Sequence, residues 1–286
     1  MRLFAFGLGY CAARVIARGK LGAAAGTVRT QAAVAAWRQR GVDAVLFEDG
    51  DGVKAALASA EVALVSIPPD GAGDPALRLY KDALRGLRRI VYLSTVGVYG
   101  DTGGGWVDET SPLLASTPRA RARVAAEAAW RPLGVEVDVL RLGGIYGPGR
   151  GAFDRLRDGT ARRVVKPGQV FNRIHVDDIA LAVETVVAAG RSGEVYNVVD
   201  GSPAPPEDVI AFAAALIGME PPPEEPFETA GLTGMAASFY QENRRVRCDR
   251  LRGIGWAPGF PSYREGLQTT LAEELSAGRA SSALKA

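Results

Sequence analysis

Short apolar runs alternate with longer amphipathic segments through the first two thirds of the chain, and this rhythm constrains the fold more than any other feature. Runs at 1–6, 24–28, 44–47, 62–67, 90–93 and 135–141 read as strands, separated by helical patterns at 10–18, 31–40, 75–87 and 119–130. Strands that are apolar at successive positions need cover on both faces, and strands joined through helices lie parallel. The expected class is therefore α/β: a doubly wound parallel sheet with helices on each side. No internal repeat interrupts it.

After residue 150 the rhythm changes. Residues 151–171 are short and basic, 176–189 read as a strong helix and 194–199 as one more strand. The stretch 202–226 is proline-rich around a helix at 209–217, a further helix is expected over 231–252, and the end of the chain is polar, Ala-rich and expected to fray. The organisation that follows is a nucleotide-type domain over 1–150, continued by 172–200, and a small C-terminal substrate lobe over 201–286 joined by 151–171.

The first strand runs into Gly7-Leu8-Gly9-Tyr10-Cys11-Ala12, a G-x-G-x-x-A turn that opens a helix. Glycines at its first two positions permit a tight turn and let backbone N–H groups approach a pyrophosphate at the positive end of the helix. The small third residue allows close helix-to-strand packing. A dinucleotide site is expected, with Gly7, Gly9, Tyr10, Cys11 and Ala12 in contact. The second strand ends in Val28-Arg29-Thr30, where an NAD site would carry Asp or Glu for the ribose 2′-OH. Arg29 with Thr30 suits a 2′-phosphate instead, so NADP is favoured over NAD. Asp49 is a candidate for the adenine amino group, a simple polar turn being the alternative. Ser66 and Pro68, after the fourth strand, are candidates for the cofactor face or for a rigid turn.

The chain has 286 residues, long enough for one large α/β domain and a lobe. Its net charge of +2 argues against a nucleic-acid partner, which needs a clustered basic face. The two cysteines, Cys11 and Cys248, lie far apart and suggest neither a disulfide framework nor a zinc site. With no run of membrane-spanning length and too short an apolar start for a signal peptide, a cytoplasmic location and no membrane partner are expected. No metal site is expected.

Several segments together resemble the extended short-chain dehydrogenase/reductase superfamily, the NAD(P)-dependent epimerase/dehydratase group, whose fold is of the Rossmann type. They are GLGYCA at 7–12, LSTVGVYG at 93–100, DETSP at 108–112, LRLGGIYGPGR at 140–150, RIHVDDIA at 173–180 and VYNVVDGSP at 195–203, all in the family's order. The resemblance implies that Ser94, or Thr95 beside it, orients a substrate oxygen, and that Tyr99 and Gly100 line the site. It also implies that Arg141, Tyr146, Gly147 and Pro148 lie near the nicotinamide. Arg173 and His175 would sit where the lobe meets the cofactor domain. For His175, the only histidine, a hydrogen-bonded structural role is expected ahead of a catalytic one.

One departure limits what the resemblance carries. Aligning backward from Glu127 places Arg123 at the family's Lys, which holds the nicotinamide ribose, and Arg119 at its Tyr, which exchanges a proton with the substrate oxygen. Arg123 keeps a cation for the ribose, whereas Arg119 has no proton to exchange near neutral pH. None of the eight tyrosines has Lys four positions later. Tyr99 and Tyr146 remain as hydroxyls that act from another direction, or as packing residues.

Two functions follow. One is an NADP(H)-dependent oxidoreductase or epimerase acting on a small hydroxyl- or carbonyl-bearing substrate, nucleotide-linked substrates included, with Ser94, Thr95, Tyr99 and Arg123 at the chemistry. The other is a non-catalytic NADP(H)-binding protein in a regulatory or assembly role. A plain interaction module would require the glycine turn to be coincidental. Two Ala-rich helices, 75–87 and 119–130, are candidates for pairing across a homodimer, as similar helices do in the family.

Overall fold

The computed structural model describes residues 1–190 and 193–283, so the last three residues of the expected lobe lie outside the described residues. The order is β1 (Arg2–Phe6), α1 (Tyr10–Ala17), β2 (Ala23–Val28), α2 (Gln31–Arg38), β3 (Asp43–Leu46), α3 (Gly50–Ala58), β4 (Val62–Val65), α4 (Pro75–Leu84) and β5 (Arg89–Thr95). A 3₁₀ turn at Val96–Tyr99 leads to β6 (Trp106–Val107), α5 (Pro118–Trp130), β7 (Glu136–Leu142), β8 (Gly144–Tyr146), α6 (Ala152–Arg157), β9 (Arg163–Val165), β10 (Arg173–His175) and α7 (Val176–Ala188). Then come β11 (Val195–Val198), α8 (Pro206–Leu216), β12 (Glu224–Pro226), α9 (Gly234–Tyr240), β13 (Arg245–Val246), α10 (Asp249–Arg252) and α11 (Tyr263–Ala283).

Seven strands form one parallel sheet in the order β11-β7-β5-β4-β1-β2-β3. Alternate residues of β1 explain the unbroken apolar run. Leu3 and Ala5 pack with α1 and α7 on one face, while Phe4 and Phe6 pack with α3, α4 and α5 on the other. Chain order reverses at β1, which has β2 on one side and β4 on the other. A crevice therefore opens at the carboxyl edge between them, where ligands of such sheets bind.

Below the sheet's far end, Tyr146, Phe153 and Leu156 pack with Val209, Ile210 and Ala213 of α8 and with Tyr263 and Leu267 of α11 in a separate apolar cluster. The first helix is tied to this region. Arg14 of α1 donates to Asp177 of α7 and, at 2.8 Å, to Glu273 of α11.

Some elements differ from the sequence reading. Residues 231–252 are not one helix but α9, β13 and α10, because β13 pairs with the distant β6. The polar, Ala-rich end carries the long α11, and α3 and α6 occupy stretches read as connections. Helix α8 begins at Pro206, whose fixed φ suits a first turn.

Candidate cofactor and substrate site

Gly7 sits at φ +88°, and a Cβ there would lie 2.7 Å from Ile67 Cγ2, so both backbone and space require glycine. Its N–H donates to Thr27 Oγ1 at 2.9 Å, while Ser66 Oγ donates to the Gly7 carbonyl at 2.8 Å. Ser66 thus fastens the glycine turn to the end of β4. At Gly9 an added Cβ would meet nothing within 4 Å, which leaves open room in front of the helix. Ala13 N–H makes the first helical bond, to Gly9 O at 2.8 Å, so the N–H groups of Tyr10, Cys11 and Ala12 have no intrahelical acceptor. No side chain caps this end and no acid stands in the first turn. A helix terminus left this way attracts an anion.

Only the backbone of Cys11 and Ala12 faces that space. Cys11 is buried in the core, and burial pushes its thiol up to about 11. Tyr10 leans away toward the lobe. Its hydroxyl donates to Pro148 O at 3.1 Å beneath the Arg150 guanidinium, and burial pushes the phenol up to about 12.

At the end of β2, Arg29 is exposed and makes no ion pair or hydrogen bond among the described residues. Thr30 caps α2, accepting from Ala33 N–H at 3.2 Å, so a second helix start adjoins Arg29. Asp49 accepts from Gly52 N–H at 3.0 Å and caps α3.

On the β4 side, a cleft of about 310 Å³ lies between Pro68 and Pro69 of the β4–α4 loop and Arg119 and Arg123 of α5. Arg123 is buried, and its Nη1 donates to Tyr92 Oη at 2.9 Å and Leu93 O at 3.0 Å, which pins it under the end of β5. Thr95 caps the 3₁₀ turn through Gly97 N–H at 3.1 Å.

The remaining predicted hydroxyls are spent elsewhere. Ser94 Oγ donates to Glu127 Oε1 at 2.5 Å, and Glu127 Oε2 accepts from Arg141 Nη2 at 2.7 Å. Arg141 Nη1 donates at 3.0 Å to Tyr99 Oη, which donates at 2.7 Å to Asn197 Oδ1. Register puts Ser94 beside Arg141 on neighbouring strands, so the chain of bonds runs through the buried sheet face under α5. Tyr99 is fully buried, and burial raises its phenol above the ordinary value. This corrects its reading as a proton donor. Tyr146 is corrected likewise: its ring packs in the lobe cluster and its hydroxyl so crowds Gly266 that a Cβ there would lie 1.9 Å away. His175 is fully buried. Its Nδ1 accepts from Asp177 N–H at 3.3 Å, its Nε2 meets Thr270 Oγ1 at 3.2 Å, and burial holds its pKa below the usual value. That is a helix-capping role. Sequence reasoning used Glu127 only to set register; its bond to Ser94 depends on how α5 lies across the sheet.

Among the described residues no group of three His, Cys, Asp or Glu could hold a metal, and no helix is long and apolar enough to cross a membrane.

The strand order, the glycine turn into an uncapped helix and the crevice at the chain reversal define a doubly wound fold of the dinucleotide-binding class. Residues 76–199 match the NAD dependent epimerase/dehydratase family. Protein YeeZ of Escherichia coli K12 is 31% identical over 219 residues, 69% of this chain and 76% of that protein. A solved structure of a conserved protein of unknown function from Silicibacter pomeroyi is 43% identical, with a TM-score of 0.87 over 95% of this chain and 98% of that one. Human epimerase family protein SDR39U1, solved with NADPH, shares the fold at 19% identity and a TM-score of 0.74, over 94% and 99% of the two chains. The chain belongs to the NAD dependent epimerase/dehydratase family.

Proposed function

We propose that this protein binds NADP(H) across the carboxyl edge of the sheet and exchanges hydride with a small hydroxyl- or carbonyl-bearing substrate, with solvent rather than a tyrosine carrying the proton. The observation that carries the reading is an uncapped α1 start facing open space at Gly9, with Arg29, unpaired among the described residues, at the end of the adjoining strand. In this reading the N–H groups of residues 10–12 hold the pyrophosphate, and Arg29 with the start of α2 holds the 2′-phosphate. Arg123 holds the nicotinamide ribose from the β5 side. A bound nicotinamide supplies the hydride donor or acceptor. Pro68 and Pro69 form one wall of the cleft beside it.

A charge-assisted contact of this kind discriminates on the order of tenfold or more between NADPH and NADH. Fluorescence titration of both cofactors should show that preference in the wild type and its loss in Arg29→Ala. Equal affinities in the wild type refute the 2′-phosphate assignment. Failure to bind either cofactor removes the proposal entirely.

A second reading has its own observation. The hydroxyls of Ser94 and Tyr99 are both committed to the buried chain of bonds, which favours NADP(H) as a structural or sensory ligand. NADPH oxidation with any member of a broad carbonyl panel, abolished by Arg123→Ala, would sink that alternative.

A further inference from the structure

The turn between β8 and α6 holds a cation over the start of α1. Residues 147–150 close on themselves: Gly147 N–H donates to Arg150 O and Arg150 N–H to Gly147 O, each at 3.0 Å. The turn is fastened to the first residue of α1, since Pro148 O accepts from Tyr10 Oη at 3.1 Å and a Cβ at Gly147 would lie 2.7 Å from that hydroxyl. From this turn the Arg150 side chain reaches across the Tyr10 ring, its Cζ 5.5 Å from the ring centroid. Burial raises the Tyr10 phenol and the Cys11 thiol, and the Arg150 charge draws both back down, so its field reaches the first two residues of the helix.

The other arginines on this side have acids of their own. Arg14 bonds to Asp177 and Glu273, Arg18 to Glu184 and Arg157 to Glu274. Among the described residues the exposed Arg150 side chain has neither a hydrogen bond nor an ion pair, and its contact is the stack on Tyr10. A guanidinium lying on a ring keeps its N–H groups in its own plane, where they can still meet an anion's oxygens.

We propose that Arg150 is a dinucleotide-binding residue that supplies the side-chain charge for the pyrophosphate, opposite the N–H groups of residues 10–12. The proposal rests on the reading that the cofactor's pyrophosphate lies at the start of α1. A helix start offers about half a positive charge, whereas each phosphate of the pyrophosphate carries a full negative one. The first turn of α1, Tyr-Cys-Ala-Ala, adds no cationic side chain. Arg150 makes up the difference, and its paired N–H groups match phosphate oxygens as a fork. The stack on Tyr10 and the closed turn hold it there beforehand, so little side-chain freedom is lost on binding.

The test titrates the full chain, wild type and variants, with NADPH and NADH by fluorescence, and with adenosine 2′-monophosphate, which lacks the pyrophosphate, by calorimetry. Arg150→Ala should weaken both dinucleotides on the order of tenfold and keep the ratio of their affinities, while adenosine 2′-monophosphate binds as it does to the wild type. Arg150→Lys keeps the charge, loses the fork and should fall between the two. Because the contact joins charges, the gap between wild type and Arg150→Ala should narrow as salt is raised. A wild type that binds the dinucleotides and an Arg150→Ala protein that binds them equally well overturns this proposal and leaves the cofactor reading standing. Equal weakening of all three ligands, or a gap that salt does not change, also overturns it, since a disturbed turn and not a lost phosphate contact would be the cause. A wild type that binds neither dinucleotide refutes the cofactor reading itself, and the role of Arg150 with it.

Discussion

Glu127→Gln tests the claim that the Ser94–Glu127–Arg141–Tyr99 chain is a structural element beneath the site. The substitution keeps the shape of the side chain and removes its charge. Arg141 and Glu127 have side-chain exposures of 3% and 4%, so solvent cannot replace the lost partner. Three donors converge on this carboxylate: Ser94 Oγ at 2.5 Å, Arg141 Nη2 at 2.7 Å and Arg141 Nε at 3.3 Å. Breaking a buried pair by neutralising one member costs about 3 to 5 kcal/mol, because a charge is left buried without compensation. For a chain of this size that corresponds to a fall in Tm of roughly 10 °C. Urea unfolding followed by circular dichroism measures the loss directly, provided the slope with denaturant is unchanged. Glu127→Gln combined with Arg141→Met removes both charges, and the pair should be less destabilised than Glu127→Gln alone. Below the transition NADPH affinity should stay within twofold, since Glu127 lies under the sheet and not on the cleft wall. A single variant within about 1 kcal/mol of wild type, or a double variant that is worse, refutes the reasoning.

The two glycines of the turn should separate fold from binding. Gly7→Ala meets Ile67 at a positive φ and is expected to cost about 1 to 3 kcal/mol, whereas Gly9→Asp meets open space, caps α1 and should leave Tm unchanged while abolishing NADPH fluorescence enhancement. A Gly9→Asp protein that still binds NADPH would place the pyrophosphate elsewhere. Asp200 is 1% exposed, and burial pushes its carboxyl up to about 7 against an unfolded value of about 3.9. Between these values the folded state keeps a proton that the unfolded chain has released, so stability falls as pH rises from about 4 to 7 and stays low above. Asp200→Asn should therefore match wild type near pH 4 and exceed it by a few kcal/mol at pH 8; an equal gap at both would exclude this titration.

The sheet was legible because its strands are apolar on both faces, and each of the six runs read in the first 150 residues forms a strand. Helix α3 was hidden by Gly50 and Gly52 in its first turn, although Asp49 caps it. Among its described side chains helix α11 buries a narrow stripe that includes Tyr263, Leu267 and Thr270, too sparse to stand out in a polar segment. In the 231–252 stretch, strand β13 exists only because β6 pairs with it, and no local pattern announces a partner so far away. The same separation governs the site. Gly7, Gly9 and Arg29 could be read because backbone conformation and strand-end position are local properties. The fates of Ser94 and Tyr99 could not, since Glu127, Arg141 and Asn197 reach them only when α5 and three strands are assembled.

The contact of Arg14 with Glu273 joins residues 259 positions apart. The helix whose start faces the open space at Gly9 is therefore braced by a segment synthesised long after it. Closing so long a loop adds only modestly to its entropic cost, because that cost grows with the logarithm of length. The effect falls on timing. During synthesis the N-terminal strands and helices can assemble as they emerge, yet α1 receives its full set of anchors only after residue 273 is made. Until then Asp177 is the acid that holds Arg14 among the described residues, so the bracing of α1 is completed after the sheet that carries it.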